Sequence, residues 1–480
     1  MPDRPPMPRD AGDDDPTPAR GVDRHSRSAE PEDGFDEVEP NFLVRRALVV
    51  GGIVLAIAVV AVVVGQIIGG DDSSSGSTAE AAEWDAIVVL DEDEIRLLDP
   101  GSGDELDAYE ASADLLDAQS LVAGNVLVTM TDSGVIVQTD LSDDSQRRGR
   151  SGPDETLVIS PDNPSIAIAG NDLGGDVTII DTRDRSVVSV ADAAGLDDPL
   201  IFTGDVLVNP SGTHVAVPVP TAFQSVVIDL AEGTAQARSG RVIALDDDRL
   251  VTEQPAGSES ELEFYDLSGE RLGSADIPAP QATLLRDDGR ILAVSETGVV
   301  STVDADGSVD DVATLTDPDE RAVEITGGAR AADGDRLIAV GSRNTYVLDP
   351  DGEQLAVVRG GPPARLNGAA QCVVVSPPSS STAPTTAIDL ATGATLAEIE
   401  GGFPTGDSYD GCTVAFQGTD PQLLSEGELV DVDADSIVAV APDGSGYVVL
   451  DGRDSEYVEL GDDPLEIADG PSVIHFARRG

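Results

Sequence analysis

Apolar and polar residues follow two different patterns along this chain. Residues 47–68 form an unbroken apolar run of 22 residues, in which Gln66 is the only strongly polar side chain. After residue 83, short apolar runs rich in Val, Ile, Leu and Ala alternate with turns containing Gly, Pro, Asn and Asp. A helix of that length, at about 1.5 Å per residue, spans a hydrocarbon core of roughly 30 Å. The first pattern therefore predicts one transmembrane helix, and the second predicts β strands.

The charges beside the apolar run predict its orientation. Seven arginines precede it, and the next basic residue is Arg96. Positive charge is retained on the cytoplasmic side, so we expect a single-pass protein of the cell membrane with a cytoplasmic N-terminus and an extracytoplasmic C-terminal domain. A cleaved signal peptide is the alternative, but its apolar region is usually about 7–15 residues long, and Ala79-Glu80-Ala81 is only a weak cleavage motif.

Composition divides the rest of the chain. Residues 1–46 are rich in Pro, Asp and Arg and poor in large apolar side chains, which predicts a disordered cytoplasmic tail. Residues 69–83 are rich in Gly, Ser and Asp and predict a flexible linker. Residues 84–480 then form the extracytoplasmic domain.

A repeat of strand, turn, strand and Asp organises this domain. Its mean period is about 41 residues, and the aspartates that mark it are Asp99, Asp140, Asp181, Asp229, Asp266, Asp304, Asp349 and Asp389. A strand-built period of about 40–45 residues is typical of propeller blades of four strands each. The sequence therefore predicts an all-β fold, a β-propeller, with eight blades as the first choice and seven or nine as alternatives. Residues 438–440, 447–451 and 473–476 could form an extra blade, or return to close the ring against residues 86–99. Stacked β-sandwiches would not predict so even a period.

The segment Asp389-Leu390-Ala391-Thr392-Gly393 resembles the D-x-x-T-G blade element of bacterial quinoprotein-like and WD40-like propellers. The resemblance covers roughly residues 84–480 and implies the fold. Quinone-dependent members of that family also use neighbouring cysteines, a tryptophan stacked on the cofactor and a calcium cluster. Here the two cysteines are 40 residues apart and the one tryptophan is Trp84, so the resemblance does not extend to that activity.

Charge narrows the range of partners. The chain has 91 acidic and 28 basic residues, all of the latter arginine, and a formal net charge of −63. Phosphate backbones require clustered positive charge, so we expect no nucleic acid partner. The acidity fits either a salty habitat or a genome whose codons favour Asp and Arg, and the sequence does not separate the two.

Few residues suggest chemistry. The domain has two histidines, His214 and His475, far apart in sequence, and the sequence predicts no catalytic, cofactor-binding or metal-binding residue. Calcium is the one cofactor considered, because residues 304–307, 349–352 and 431–435 bring carboxylates together. None of these segments has the acid that completes a calcium loop, which favours solvated turns.

Cys372 and Cys412 are separated by nearly one blade period and lie on the side assigned to an oxidising compartment. Equivalent positions of consecutive blades are neighbours, so the sequence predicts a disulfide between two blades. Two buried free thiols are the alternative.

The sequence leaves three functional hypotheses open. The first is a non-catalytic binding or scaffolding module that recognises a protein or envelope polymer. The second is an extracytoplasmic metal-dependent hydrolase or oxidoreductase with its site in the propeller channel. The third is a solute receptor that signals through the cytoplasmic tail. The first two differ in whether acidic and basic side chains from several blades meet in one pocket with perturbed pKa values.

Overall fold

The computed structural model of the protein describes residues 84–479 apart from short gaps. The gaps are 93, 112–114, 154, 161–162, 172–173, 197–200, 202–205, 220–223, 318–322, 331–335, 360–363, 367–370, 377–383, 409, 419, 453 and 471. The predicted tail (1–46), membrane helix (47–68) and linker (69–83) lie outside the described residues. Within the described part of the chain, no helix has the length and apolar character needed to cross a bilayer.

Ten four-stranded antiparallel sheets build the domain. The prediction of an all-β propeller is confirmed, but the predicted eight blades are wrong, as are the alternatives of seven and nine. In blades 2–10 the chain runs from an inner strand through a second and a third strand to an outer strand, whereas in blade 1 the inner strand comes from the C-terminal end of the chain. The inner strands of successive blades contact one another, for example in blades 5, 6 and 7.

Blades 1–5 occupy the first half of the domain. Their strands are β40 (Val473–Ala477), β1 (Ala86–Leu90), β2 (Glu94–Leu98) and β3 (Glu105–Glu110) in blade 1; β4 (Gln119–Ala123), β5 (Val126–Met130), β6 (Val135–Asp140) and β7 (Gln146–Arg150) in blade 2; β8 (Thr156–Ile159), β9 (Ile166–Gly170), β10 (Val177–Asp181) and β11 (Ser186–Ser189) in blade 3; β12 (Leu207–Val208), β13 (His214–Val219), β14 (Gln224–Asp229) and β15 (Thr234–Ser239) in blade 4; and β16 (Arg241–Leu245), β17 (Arg249–Ala256), β18 (Glu259–Asp266) and β19 (Arg271–Pro278) in blade 5. One short helix, α1 (Val190–Ala194), follows β11, and the Ser189 hydroxyl caps it by accepting a hydrogen bond from the Asp192 N–H.

Blades 6–10 complete the ring. Their strands are β20 (Pro280–Leu285), β21 (Ile291–Ser295), β22 (Val299–Val303) and β23 (Val309–Thr314) in blade 6; β24 (Ile325–Arg330), β25 (Leu337–Gly341), β26 (Asn344–Leu348) and β27 (Gln354–Arg359) in blade 7; β28 (Ala364–Leu366), β29 (Cys372–Val375), β30 (Thr385–Asp389) and β31 (Thr395–Ile399) in blade 8; β32 (Phe403–Asp407), β33 (Val414–Gln417), β34 (Gln422–Ser425) and β35 (Glu428–Asp431) in blade 9; and β36 (Ser436–Val440), β37 (Gly446–Asp451), β38 (Asp454–Glu459) and β39 (Leu465–Asp469) in blade 10.

The last strand closes the ring. β40 supplies the inner strand of blade 1 and pairs with β1 in the register Ala86↔Ala477 to Leu90↔Val473. Of the two alternatives open for these segments, residues 473–476 close the ring, whereas residues 438–440 and 447–451 belong to an extra blade, blade 10. Trp84 packs edge-on against Phe476 of the closing strand and Tyr457 of blade 10, with ring centroids 4.7 and 5.9 Å apart. Both ends of the described chain thus emerge beside blade 1.

The hydrophobic core lies between the blades. Each of the ten apolar clusters found among the described residues joins two neighbouring blades, and together they run all the way around the ring. Side chains alternate along a strand, so Ile87 and Val89 pack toward blade 10 whereas Val88 and Leu90 pack toward blade 2. This explains why the second strands are continuous apolar runs: both of their faces are buried.

The repeated aspartates lie at the ends of the third strands and shape the turn to the outer strand. The Asp389 carboxylate accepts hydrogen bonds from the backbone N–H and the hydroxyl of Thr392, and Gly393 adopts a φ of +67°, which glycine tolerates best. Ser425 and Glu459 occupy the same place in blades 9 and 10. Counting aspartates therefore finds eight blades and misses the last two.

Candidate functional site

The inner strands of the ten blades surround the propeller channel, and their exposed residues form its wall. Five of these strands carry a β-bulge, an extra residue that the partner strand leaves unpaired. The unpaired residues are Ile243 in β16, Gln281 in β20, Thr326 in β24, Thr405 in β32 and Val438 in β36. Bulges re-aim side chains, and the third-to-outer strand pairs of six blades have register shifts as well, so the five inner-strand bulges shape the channel wall without by themselves marking it as a binding site.

The bulges lift uncharged side chains out of the sheets. Gln281, Thr326, Thr405 and Val438 are all exposed, and only Ile243 is half-buried. A bulge also frees backbone groups, and one of them is used between blades: the carbonyl oxygen of Ile243 accepts a hydrogen bond of 3.2 Å from the Thr283 hydroxyl on β20. The distorted inner strands are thus braced against each other.

The channel wall differs in charge from the rest of the molecule. The exposed inner-strand residues within the described side chains include no acid; they are Gln119, Val158, Ile159, Arg241, Gln281, Thr326, Gly328, Phe403, Thr405 and Val438. The exposed residues of the outer strands include many acids: Glu105, Asp107, Glu110, Asp276, Asp310, Asp311, Glu398, Glu428, Asp431, Glu466 and Asp469. A chain with 91 acidic residues therefore has an outer rim rich in carboxylates and a channel wall without exposed ones.

The most exposed large hydrophobic side chain in the described part of the chain lies at the channel. Phe403, which begins β32, is 56% exposed, and Val438 on the neighbouring inner strand is 48% exposed. Val158 and Ile159 on β8 are exposed as well. Single exposed apolar side chains are common on protein surfaces, and the outer strands carry them too, at Leu272, Val312 and Val430.

His475 lies on the closing strand, where its Nε2 is 2.8 Å from the hydroxyl of Ser120 on β4. Burial lowers the pKa of His475 to about 4, so the ring is neutral at physiological pH. The sequence did not place this histidine, because Ser120, its neighbour in the next blade, is 355 residues away in the sequence.

The lowered pKa of His475 has a consequence for stability. Between pH 6.5 and 4 the unfolded chain binds a proton at this residue that the folded chain does not, so this contribution to stability is lost as the pH falls through that range. We expect His475→Gln to make the free energy of unfolding less dependent on pH between pH 6.5 and 4. The slope of this free energy against pH should fall by at most about 1.4 kcal/mol per pH unit. Urea unfolding of both proteins at pH 6.5, 5.5 and 4.5 measures the effect. An equal pH dependence in the two proteins would contradict this role of His475.

His214 begins β13 and lies at a turn. Its Nδ1 is 3.0 Å from the Thr213 hydroxyl, and its Nε2 is 3.8 Å from a carboxylate oxygen of Asp229. Thr213, in turn, belongs to a polar network with Asn209 and Ser211. The two histidines therefore lie in different blades, His214 beside the Thr213 hydroxyl and His475 beside the Ser120 hydroxyl.

Two of the three segments considered for calcium, 304–307 and 349–352, are turns whose carboxylates accept backbone hydrogen bonds. Asp349 accepts hydrogen bonds from the N–H groups of Asp351 and Glu353, at 3.0 and 2.8 Å. Asp306 accepts one from the Ser308 N–H at 3.0 Å. The third, 431–435, begins at the last residue of β35, and Asp435 accepts a hydrogen bond of 3.0 Å from the Gly452 N–H. Of the residues that the structure describes, no three or more His, Cys, Asp or Glu side chains are grouped so that they could hold a metal ion.

Two carboxyl groups within the described ranges have a raised pKa, and they lie in different blades. Burial is the main cause for both Glu155, which precedes β8, and Asp246, which follows β16. The first lies at the connection into an inner strand and the second at the turn leaving one, so they occupy opposite faces of the propeller. These two groups do not meet in one pocket.

A cleft of about 290 Å³ lies beside the ends of the described chain, between blades 1 and 2. Leu97, Leu106 and Leu141 contribute its apolar lining, and Asp85 and Arg479 are among its polar residues. The hydroxyl of Tyr109 is 3.0 Å from the carbonyl oxygen of Leu141. Burial, together with a hydrogen bond to Asp107, raises the pKa of Tyr109 to about 12, so this hydroxyl is neutral and can donate.

The predicted disulfide between Cys372 and Cys412 is present, with a Cα–Cα distance of 5.8 Å. Cys372 begins β29 and Cys412 lies just before β33, so the bond joins the second strand of blade 8 to the segment that enters the second strand of blade 9. The neighbouring amide of Gln371 donates to the Asp410 carboxylate at 2.8 Å and links the same two blades.

The comparisons with known proteins concern the fold. No family model matches the chain, and no curated protein matches it. Among solved structures, it resembles a dihydro-heme d1 dehydrogenase, NirN, in complex with DHE, with 16% identity over 69% of this chain and 76% of that chain and a TM-score of 0.40. It resembles a eukaryotic initiation factor with 10% identity over 83% of this chain and 100% of that chain and a TM-score of 0.46. It resembles the C-terminal WD40 domain of Sif2 with 12% identity over 72% of this chain and 99% of that chain and a TM-score of 0.41. These similarities go no further than the fold, and the ten four-stranded sheets make it a β-propeller.

Proposed function

We propose that this chain is a membrane-tethered extracytoplasmic β-propeller that acts as a non-catalytic binding or scaffolding module in the cell envelope. The tether is the apolar segment 47–68, and the orientation follows from the arginines that precede it. The binding site is the channel. Its ligand is an uncharged or anionic segment of a protein or envelope polymer.

The charge contrast between the channel wall and the outer rim carries this proposal. A cationic ligand would be attracted to the carboxylates of the outer strands, whereas the channel offers Gln, Thr, Val and Phe side chains without an exposed acid. Apolar and amide groups can be desolvated by a ligand at much lower cost than carboxylates. The channel is therefore the part of this acidic surface on which an uncharged or anionic group can be buried.

The closed ring supports the same function. The inner strands are held by ten interblade cores, by the pairing of β40 with β1 and by the disulfide. A wall that is already ordered loses little conformational entropy when a ligand binds, which favours affinity.

Placing acids on the channel wall tests the proposal. In the variant Gln281→Glu/Thr326→Glu/Thr405→Glu, we expect binding of the envelope ligand to fall at least about tenfold, because each new carboxylate must be desolvated. The measurement is quantitative co-purification of envelope components with the full-length protein after cross-linking in cells. Gln354→Glu on the outer strand β27 is the matched control, since Gln354 is also exposed and lies away from the channel. Undiminished co-purification with the triple variant, or a gain, would contradict the proposal.

A further inference from the structure

The outer strand of blade 2 is the one place where arginines cluster on the rim of the described domain. β7 reads Gln-Arg-Arg-Gly-Arg, and Arg147, Arg148 and Arg150 are all exposed. None of the other outer strands has more than one arginine. We propose that β7 binds an extended acidic peptide of a partner protein, which adds to blade 2 as a fifth strand.

The arginines of β7 are available for a partner. Among the described residues, none of the three forms an ion pair; Arg147 donates one hydrogen bond, of 2.8 Å, to the backbone carbonyl of Asp184. By contrast, Arg271 on the outer strand β19 pairs with both Glu261 and Glu263 at 2.9 Å. Although the chain is rich in carboxylates, these three neighbouring arginines have no carboxylate partner among the described residues, so they can form ion pairs with acidic groups of another molecule.

The backbone of β7 offers the second half of the site. β7 is the last strand of its sheet and pairs only with β6. The other edge of such a strand presents hydrogen-bonding groups that an extended peptide can use, while its side chains provide specificity.

The alternation of the arginines favours a peptide strand over a linear polyanion. Gly149 faces blade 3, because a Cβ placed there would meet Val187 of β11 at 2.6 Å. Arg147 shares that face, whereas Arg148 and Arg150 project to the other face of the sheet. A polyanion lying along one face would meet at most two of the three, but an added strand presents side chains to both faces and can place a carboxylate opposite each arginine.

Binding of a labelled acidic peptide tests the proposal. The probe is Thr-Glu-Thr-Glu-Glu-Thr, with its ends blocked, titrated by fluorescence anisotropy into the purified full-length protein at low salt. We expect saturable binding that weakens as sodium chloride is raised. We also expect Arg148→Gln/Arg150→Gln to weaken binding about tenfold, from the loss of two cross-strand charge pairs.

Three controls separate strand addition from other causes. Arg271→Gln should leave binding unchanged, and the same peptide with Gln in place of Glu should not bind. A peptide with its pairing amides N-methylated keeps every charge but cannot pair, so it should not bind either. Absence of saturable binding by the acidic peptide, or equal binding by the arginine double variant, would overturn the proposal. If the N-methylated peptide bound as well as the unmodified one, and polyphosphate displaced it, β7 would be a surface for polyanions. That outcome would also overturn the proposal of an added strand. Because none of these variants lies in the channel, the outcome is independent of the proposed function.

Discussion

A chain that ends at Gly470 should fail to form the closed ring. This truncation removes β40, so blade 1 loses its inner strand together with the apolar contacts that Ile474, Phe476 and Ala477 make in the clusters shared with blades 2 and 10. Fully burying a large apolar side chain contributes about 1.5–3 kcal/mol. Together with the lost backbone pairing, the deficit is comparable to the entire net stability of a typical domain, about 5–15 kcal/mol. We expect loss of cooperative thermal unfolding, measured by circular dichroism and differential scanning calorimetry.

A shorter truncation provides the control for ring closure. A chain that ends at Ala477 keeps every residue of β40 and loses only the last three residues. It should unfold cooperatively with a melting temperature close to that of the full-length protein. If the chain ending at Gly470 also unfolds cooperatively at the original temperature, β40 does not close the ring.

Removing the disulfide should produce the second large effect. The bond between Cys372 and Cys412 closes a loop with a sequence separation of 40 and crosses from blade 8 to blade 9. In the loop-entropy model a loop of this size stabilises the fold by about 4 kcal/mol. We expect Cys372→Ala/Cys412→Ala to lower the free energy of unfolding by about that amount, measured by urea denaturation under oxidising conditions.

Reduction distinguishes the loss of the bond from the effect of the alanines. A reductant should bring the unfolding midpoint of the wild-type protein close to that of the double alanine variant and leave the variant itself unchanged. Two alkylatable thiols in the purified, non-reduced protein would show that the bond does not form.

The repeat predicted the fold class and the disulfide because both depend on local spacing, and it left ring closure as one of two alternatives. Strand, turn and Asp recur with the blade period, and the period places Cys372 and Cys412 at matching positions of neighbouring blades. The number of blades was wrong because the marker is a turn cap and not a requirement of the sheet. Ser425 and Glu459 end third strands just as Asp389 does. Leu460 donates its N–H to the Ser445 carbonyl as Leu390 does to that of Gln371, so the turns are equivalent without the aspartate.

The channel wall could not be predicted from the sequence to the same extent. A bulge such as that at Val438 exists only relative to the pairing partner, because Ile437 pairs with Val449 and Ala439 with the adjacent Val448. A weaker signal was present in the composition: the segments that became inner strands contain one acid, Asp407, in an otherwise strongly acidic chain. His475 and Ser120 are brought together only by the closing strand.

Site-specific photo-cross-linking tests the channel as the binding site most directly. A benzophenone amino acid is placed at Val438, on the inner strand β36, and in a second protein at Val309, on the outer strand β23; both positions are exposed and carry valine. After irradiation of intact cells, we expect a discrete cross-linked envelope component at position 438 that is absent at position 309. The same cross-link at both positions, or at position 309 alone, would contradict the channel as the binding site.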